Sequence, residues 1–168
     1  GRRGSLIGGA AGDALGYTVE VEYYSEIIAK YGPSGITKYE LVNGVAEISD
    51  DTQMTLFTAN GMLMGITRWY MRGIGAAPHH YVEYAYKDWY DTQMKSYESV
   101  MEQDDKYFSN RHTWLSALPE LYSRRAPGNT CLTAINEMIH GQTPNNNSKG
   151  CGGVMRVAPI PLYALVDG

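Results

Sequence analysis

Apolar positions along most of this chain recur at helical spacing, and few segments alternate as a half-buried strand would. The clearest run follows Ser49-Asp50-Asp51-Thr52. There Met54, Phe57, Gly61 and Met64 fall on one face, predicting a helix to about Met71, ahead of Gly73 and Gly75. Residues 5–15 predict a helix of small residues with Gly8, Gly12 and Gly16 on one side. Bare glycine faces admit a neighbouring backbone, so this helix is expected to be central, with Asp13 riding on it.

Between these helices, residues 16–24 read as a loop carrying Glu20 and Glu22, and Ser25 caps a short helix over 26–31 closed by Gly32-Pro33. Residues 36–45 are either extended or irregular. Pro78 opens a helix running to about Met101, with a polar loop over 103–111. Thr113 or Ser116 starts a helix to Ser123, and a turn at 125–129 precedes another over 130–140. A long loop over 141–153 then runs straight into an apolar helix over 154–165. The fold class read from this pattern is all-α.

Bulk properties narrow the function. At 168 residues the chain suits one domain, 1–168, and its 43% hydrophobic and 19% charged content is that of a globular protein. A net charge of −4 without a basic block argues against nucleic acid as a partner. No run is long enough for a membrane span, and the opening apolar stretch is too glycine-rich and too soon broken by Asp13 for a signal peptide. Cys131 and Cys151 form neither a disulfide framework nor a CxxC pair, which points to a reduced, cytoplasmic setting.

Three segments carry candidate chemistry. Asp50, Asp51 and the neighbouring hydroxyls crowd oxygen donors onto one helical turn, a set suited to Mg²⁺ or Mn²⁺. The same residues also read as caps: Ser and Asp favour helix starts, and Asp50 with Gln53 fits a capping box. Glycines in 147–153 let a diphosphate approach backbone amides, or simply reverse the chain. Glu20 is either a solvated loop carboxylate or a catalytic one. Asp13 reads as an internal hydrogen-bonding or capping acid, and Trp89 and Tyr90 as packing.

Taken in order, Gly8-Gly9-Ala10-Ala11-Gly12-Asp13-Ala14-Leu15-Gly16 with Glu20, then Ser49-Asp50-Asp51-Thr52, the turn 125–130, and Ser148-Lys149-Gly150-Cys151-Gly152-Gly153-Val154-Met155-Arg156 resemble the ADP-ribosylglycohydrolase family. The resemblance implies an orthogonal multi-helix bundle with two divalent cations, Mg²⁺ or Mn²⁺, in a cleft. It implies Ser49, Asp50, Asp51 and Glu20 as metal ligands, with Glu20 also catalytic, as base or as gate over the sugar. It further implies that Ser148, Lys149, Gly150, Cys151 and Gly152 cradle ADP-ribose. Ser49 stands where the family usually has threonine, and Cys151 where it commonly has asparagine.

The implied reaction is metal-dependent hydrolysis of the bond between ADP-ribose and a modified protein side chain, arginine most often. The implied partners are ADP-ribose or an ADP-ribosylated protein. The family's C-terminal Asp-x-Asp-Thr motif does not occur in this sequence, and Asp104-Asp105 is a poor substitute. The expectation is therefore an N-terminal portion, completed by a further segment or a complementary chain carrying that motif. Two other functions remain open: an ADP-ribose-binding module without turnover, and a structural relic of the fold.

Overall fold

The structure is a computed structural model that describes residues 1–107, 113–145, 147–150 and 152–164. Its described residues form seven α-helices: α1 Arg2–Gly16, α2 Tyr24–Tyr31, α3 Asp50–Arg72, α4 Pro78–Met94, α5 Tyr97–Tyr107, α6 Asn129–Ile139 and α7 Pro159–Ala164. Extended pairing among them is one isolated bridge, Val42 to Val45, so the fold is all-α as the sequence pattern predicts. No described helix is long and apolar enough to cross a membrane.

Helices α3 and α4 are the organising pair. Ser49 caps α3, its hydroxyl accepting from Asp51 N at 3.2 Å, and Gly73 ends it in the left-handed region at φ 63°. Pro78 then opens α4, where its missing N–H costs nothing. The two helices run antiparallel: Gln53 meets Trp89 and Gln93, Thr58 meets Tyr86, and Gly61 meets Tyr81. A Cβ at Gly61 would sit 2.7 Å from the Tyr81 carbonyl oxygen and 2.9 Å from Val82 Cα. One at Gly65 would sit 2.7 Å from the Tyr81 ring.

Met54, Phe57, Ala85 and Trp89 from this pair join Leu115, Leu121, Leu132 and Ile135 in the core. Fully buried Gln53 is the polar pin at its end nearest the Ser49 cap. Its Oε1 accepts from Trp89 Nε1 and Gln93 Nε2, each at 3.1 Å, and its Nε2 donates to Ser123 O at 3.0 Å. This corrects the predicted Asp50–Gln53 capping box. Gln53 turns inward, and Trp89 packs in the core as expected.

Several predicted elements end elsewhere. The helix predicted over 78–101 is two: Lys95 turns extended and Ser96 Oγ accepts from Ser99 N at 3.1 Å, starting α5. Helix α5 continues to Tyr107 where a polar loop was expected, and residues 108–112 lie outside the described residues. In place of one helix to Ser123 there are two 3₁₀ turns, Trp114–Ala117 and Pro119–Tyr122. Pro119 supplies no donor to continue the first, and Leu118 before it is extended. The last helix begins at Pro159 rather than 154, because a proline sits only in a helix's first turn and residues 152–156 form a turn.

The small-residue helix also differs from expectation. Among the described residues, nothing lies within 4 Å of a Cβ built at Gly8, Gly12 or Gly16, so these glycines admit no neighbouring backbone and α3, not α1, is the central helix. Its glycine face borders an open cleft. The close backbone approach that four-residue glycine spacing signals occurs instead at Gly61 and Gly65. Gly61→Ala should therefore lower unfolding free energy by about 1–3 kcal/mol through overpacking. Gly8→Ala should leave it unchanged or raise it by about 0.5–1 kcal/mol through helix propensity. Urea denaturation of the two variants checks this, and equal losses would contradict the placement of α1.

Candidate functional site

The candidate site is built on the first turn of α3, which is gripped from two sides. From α1, the Asp13 carboxylate accepts three hydrogen bonds: from Ser49 N at 2.8 Å, Ser49 Oγ at 2.7 Å and Thr52 Oγ1 at 2.5 Å. These join residues 36 and 39 positions apart, so Asp13 caps α3 through space. From the other side comes the 125–128 turn. Asp50 N donates to Arg125 O at 3.1 Å, and Gly128 N donates to Asp50 Oδ2 at 3.3 Å. Arg125 adds a clamp on the entering strand of chain, donating to Ile48 O at 3.2 Å and pairing with Glu47 at 3.1 Å.

Held this way, the two adjacent aspartates have different surroundings. Asp50 is 6% exposed and faces the 125–128 turn. Its carboxyl is pushed up to about 6, first by burial and then by the charges of Asp51 and Glu20, against a lowering from the Gly128 N–H. Asp51 is exposed and lies beside the Gly8–Gly12 face of α1, in a cleft of about 350 Å³ also lined by Asp13, Thr55 and Met155. Burial and then the Asp13 charge push its carboxyl up too. Tyr17 stands in the same field: burial, Glu47, Glu20 and Asp50 raise its hydroxyl while Arg125 lowers it.

The structure thus brings Ser49, Asp50, Asp51 and Glu20 to one region, joined by Asp13. Glu20 is exposed at the end of a 3₁₀ turn, Tyr17–Val19, in electrostatic reach of Asp50. Among the described residues, no three His, Cys, Asp or Glu side chains are grouped closely enough to enclose a metal. The donor chemistry nonetheless suits a hard cation, being oxygen only, with Asp50 pushed up in part by Asp51 and Glu20, and Asp51 in part by Asp13. Ser49 Oγ donates once and accepts once, which leaves one lone pair.

The predicted cradle is placed less closely. Ser148 Oγ accepts from Gly150 N at 3.1 Å, and Ser148, Lys149 and Gly150 are exposed and do not line the cleft beside Asp51. Cys151 lies outside the described residues. Gly152 packs against α6: a Cβ there would meet Cys131 Sγ at 3.1 Å. The loop does not run straight into a helix, since the 152–156 turn intervenes. What reaches the acidic side is that turn. Thr55 Oγ1 lies 3.0 Å from Met155 O and 2.8 Å from Asp51 O, tying it to α3 one turn below Asp51.

Sequence reading singled out the 125–130 turn without giving Arg125 or Gly128 a role, and it missed Thr55. Two of the three act largely through backbone atoms or a single hydroxyl, which leave no side-chain pattern to find. Asp13→Ala, which removes three hydrogen bonds to a charged acceptor, should cost at least about 2 kcal/mol of stability. Asp50 makes a pH prediction. Between its ordinary value of 3.8 and about 6, the folded chain holds more protons than the unfolded one. Stability therefore falls as pH rises through that interval and is flat above it. In cation-free buffer, Asp50→Asn should remove the decline and raise stability near pH 7.5 by about 1–3 kcal/mol. Thermal melts across pH test this, and an unchanged profile would refute it.

Neither the curated proteins nor the solved structures contain a match to this chain. The family described as ADP-ribosylglycohydrolase matches residues 2–167, essentially the full length. With the acidic first turn of α3 and the glycine-rich segments in that family's order, the chain belongs to the ADP-ribosylglycohydrolase family.

Proposed function

We propose that this protein hydrolyses the bond between the anomeric carbon of ADP-ribose and a modified protein side chain, arginine most often, with divalent cations bound at the α3 terminus. Family membership supports glycohydrolase activity on ADP-ribose linkages. The observation that carries the finer reading is the pair of adjacent carboxylates, Asp50 and Asp51, kept on one helical turn by the Asp13 and 125–128 grips, with Glu20 in electrostatic reach of Asp50. Keeping such charges adjacent costs stability that a bound cation would return.

In this reading Asp50, Asp51 and the free lone pair of Ser49 hold Mg²⁺ or Mn²⁺, with Glu20 at the rim. Glycosyl bonds of this type break through an oxocarbenium-like transition state, and a carboxylate near the anomeric carbon stabilises that charge. Bound cations supply Lewis acidity and lower the pKa of water. Glu20, exposed and in reach of the pair, takes the proton from the attacking water. The Ser148–Gly152 loop presents backbone amides to the diphosphate, and the Thr55 contact holds the following turn against α3.

The loose spacing of those acids favours one rival, an ADP-ribose-binding module without turnover. Supplied with Mg²⁺ or Mn²⁺, the protein should release free ADP-ribose from an arginine-ADP-ribosylated protein. The double substitution Asp50→Asn/Asp51→Asn should lower that rate by about a hundred- to a thousandfold or more. Independently of turnover, Mn²⁺ at a hundredfold excess over its dissociation constant should stabilise the parent by about 2.7 kcal/mol, and the double variant not at all. ADP-ribose binding by calorimetry with no release of product would favour the module. Full activity in the double variant would reject the catalytic reading.

A further inference from the structure

The 152–157 turn crosses α3 near Thr55 and separates two clefts. One holds Asp51, and the other, about 530 Å³, lies between α4, α6 and the start of α7. Arg156 stands in the second. Its guanidinium lies 5.0 Å over the Tyr86 ring, and its Nη1 faces Met54 Sδ at 3.5 Å and Cys131 Sγ at 3.7 Å. Sulfurs are weak acceptors, and a guanidinium has five N–H donors. A half-buried cation met, among the described residues, by two sulfurs and a ring face is under-compensated, because desolvated charge requires an opposite charge or strong acceptors.

Nearby groups do not supply that anion. Glu83 lines the cleft, but its carboxylate pairs with Lys87 at 2.9 Å on the next turn of α4. The Tyr86 hydroxyl is engaged with Thr58 Oγ1 at 2.6 Å. The remaining walls are mostly apolar, with Met62, Val82 and Met138 deeper and Val157 and Ile160 at the rim. A volume in the small-molecule range, apolar walls and one uncompensated cation define a chemical class.

We propose that this cleft is a binding site for a small ligand carrying a carboxylate or phosphate on an apolar body, with the anion paired to Arg156 and the body on Met62, Val82 and Met138. The inference is independent of ADP-ribose turnover, since it concerns a cleft that Asp50, Asp51 and Glu20 do not line.

Calorimetric titration of the full chain with decanoate, decyl phosphate, decanol and inorganic phosphate tests it. At least one of the two anionic amphiphiles should bind about tenfold or more tighter than decanol, as a charge-assisted contact requires. Whichever is tighter distinguishes the carboxylate source from the phosphate source. Inorganic phosphate, lacking an apolar body, should bind more weakly than decyl phosphate. Arg156→Met should reduce the anionic amphiphiles to the affinity of decanol, and Val157→Trp should obstruct all three amphiphiles. Equal binding of decanol and both anions by the parent would overturn the proposal, as would an anion preference that survives Arg156→Met. Should Arg156→Met fail to fold by circular dichroism, undiminished anion binding by Val157→Trp would overturn it instead.

Discussion

A half-buried carboxylate on one helix capping the start of another is what the arrangement of this molecule rests on. Asp13 satisfies Ser49 N and the hydroxyls of Ser49 and Thr52, so the first turn of α3 is fixed relative to α1 before any ligand arrives. The 125–128 turn completes the grip through Asp50 N and Gly128 N. Both holds use backbone donors that the positive end of a helix leaves unpaired. The result is a set of acids concentrated where the dipole and N–H groups tolerate them, yet still close enough to repel. Burial first, and then that residual repulsion, is why Asp50 keeps its proton to about pH 6.

The same arrangement links the family's chemistry to the fold. The family assignment identifies a class of hydrolase, and the grips explain how a short stretch of sequence keeps charged oxygens from dispersing into solvent. Asp51, exposed on the glycine-lined side, and Asp50, buried on the other, bracket the α3 terminus instead of doubling up at one point. Open glycines on α1 give that cleft its width: side chains at Gly8 or Gly12 would project into unfilled space.

Sequence alone revealed the elements whose ends are marked by residues with a mechanism. Ser49 and Gly73 delimit α3, Pro78 opens α4, and Gly32 closes α2, all as their backbone preferences require. The break between α4 and α5 was hidden because Lys95-Ser96 suits a helix interior as well as a cap. The start of α7 was masked by an apolar run that Pro159 interrupts. Glycine spacing misled for a related reason: four-residue intervals occur on α1 and at Gly61–Gly65 alike, and only tertiary packing decides which face meets a backbone. In the site, the acid pair and the hydrogen-bonding role of Asp13 were legible. The contributions of Arg125 O and Gly128 N were not, because main-chain atoms carry no residue identity.

Thr55 has one hydroxyl proton and two carbonyl oxygens within reach, Asp51 O and Met155 O. If the 152–156 turn lifts away, that proton stays bonded inside α3 and no donor is orphaned. The hydroxyl's own hold on the turn is therefore about the net worth of one neutral hydrogen bond, near 1 kcal/mol. The turn itself stays fastened by Arg156 over Tyr86 and by Met155 against the core, so the hydroxyl trims where the wall between the two clefts sits without being its sole anchor.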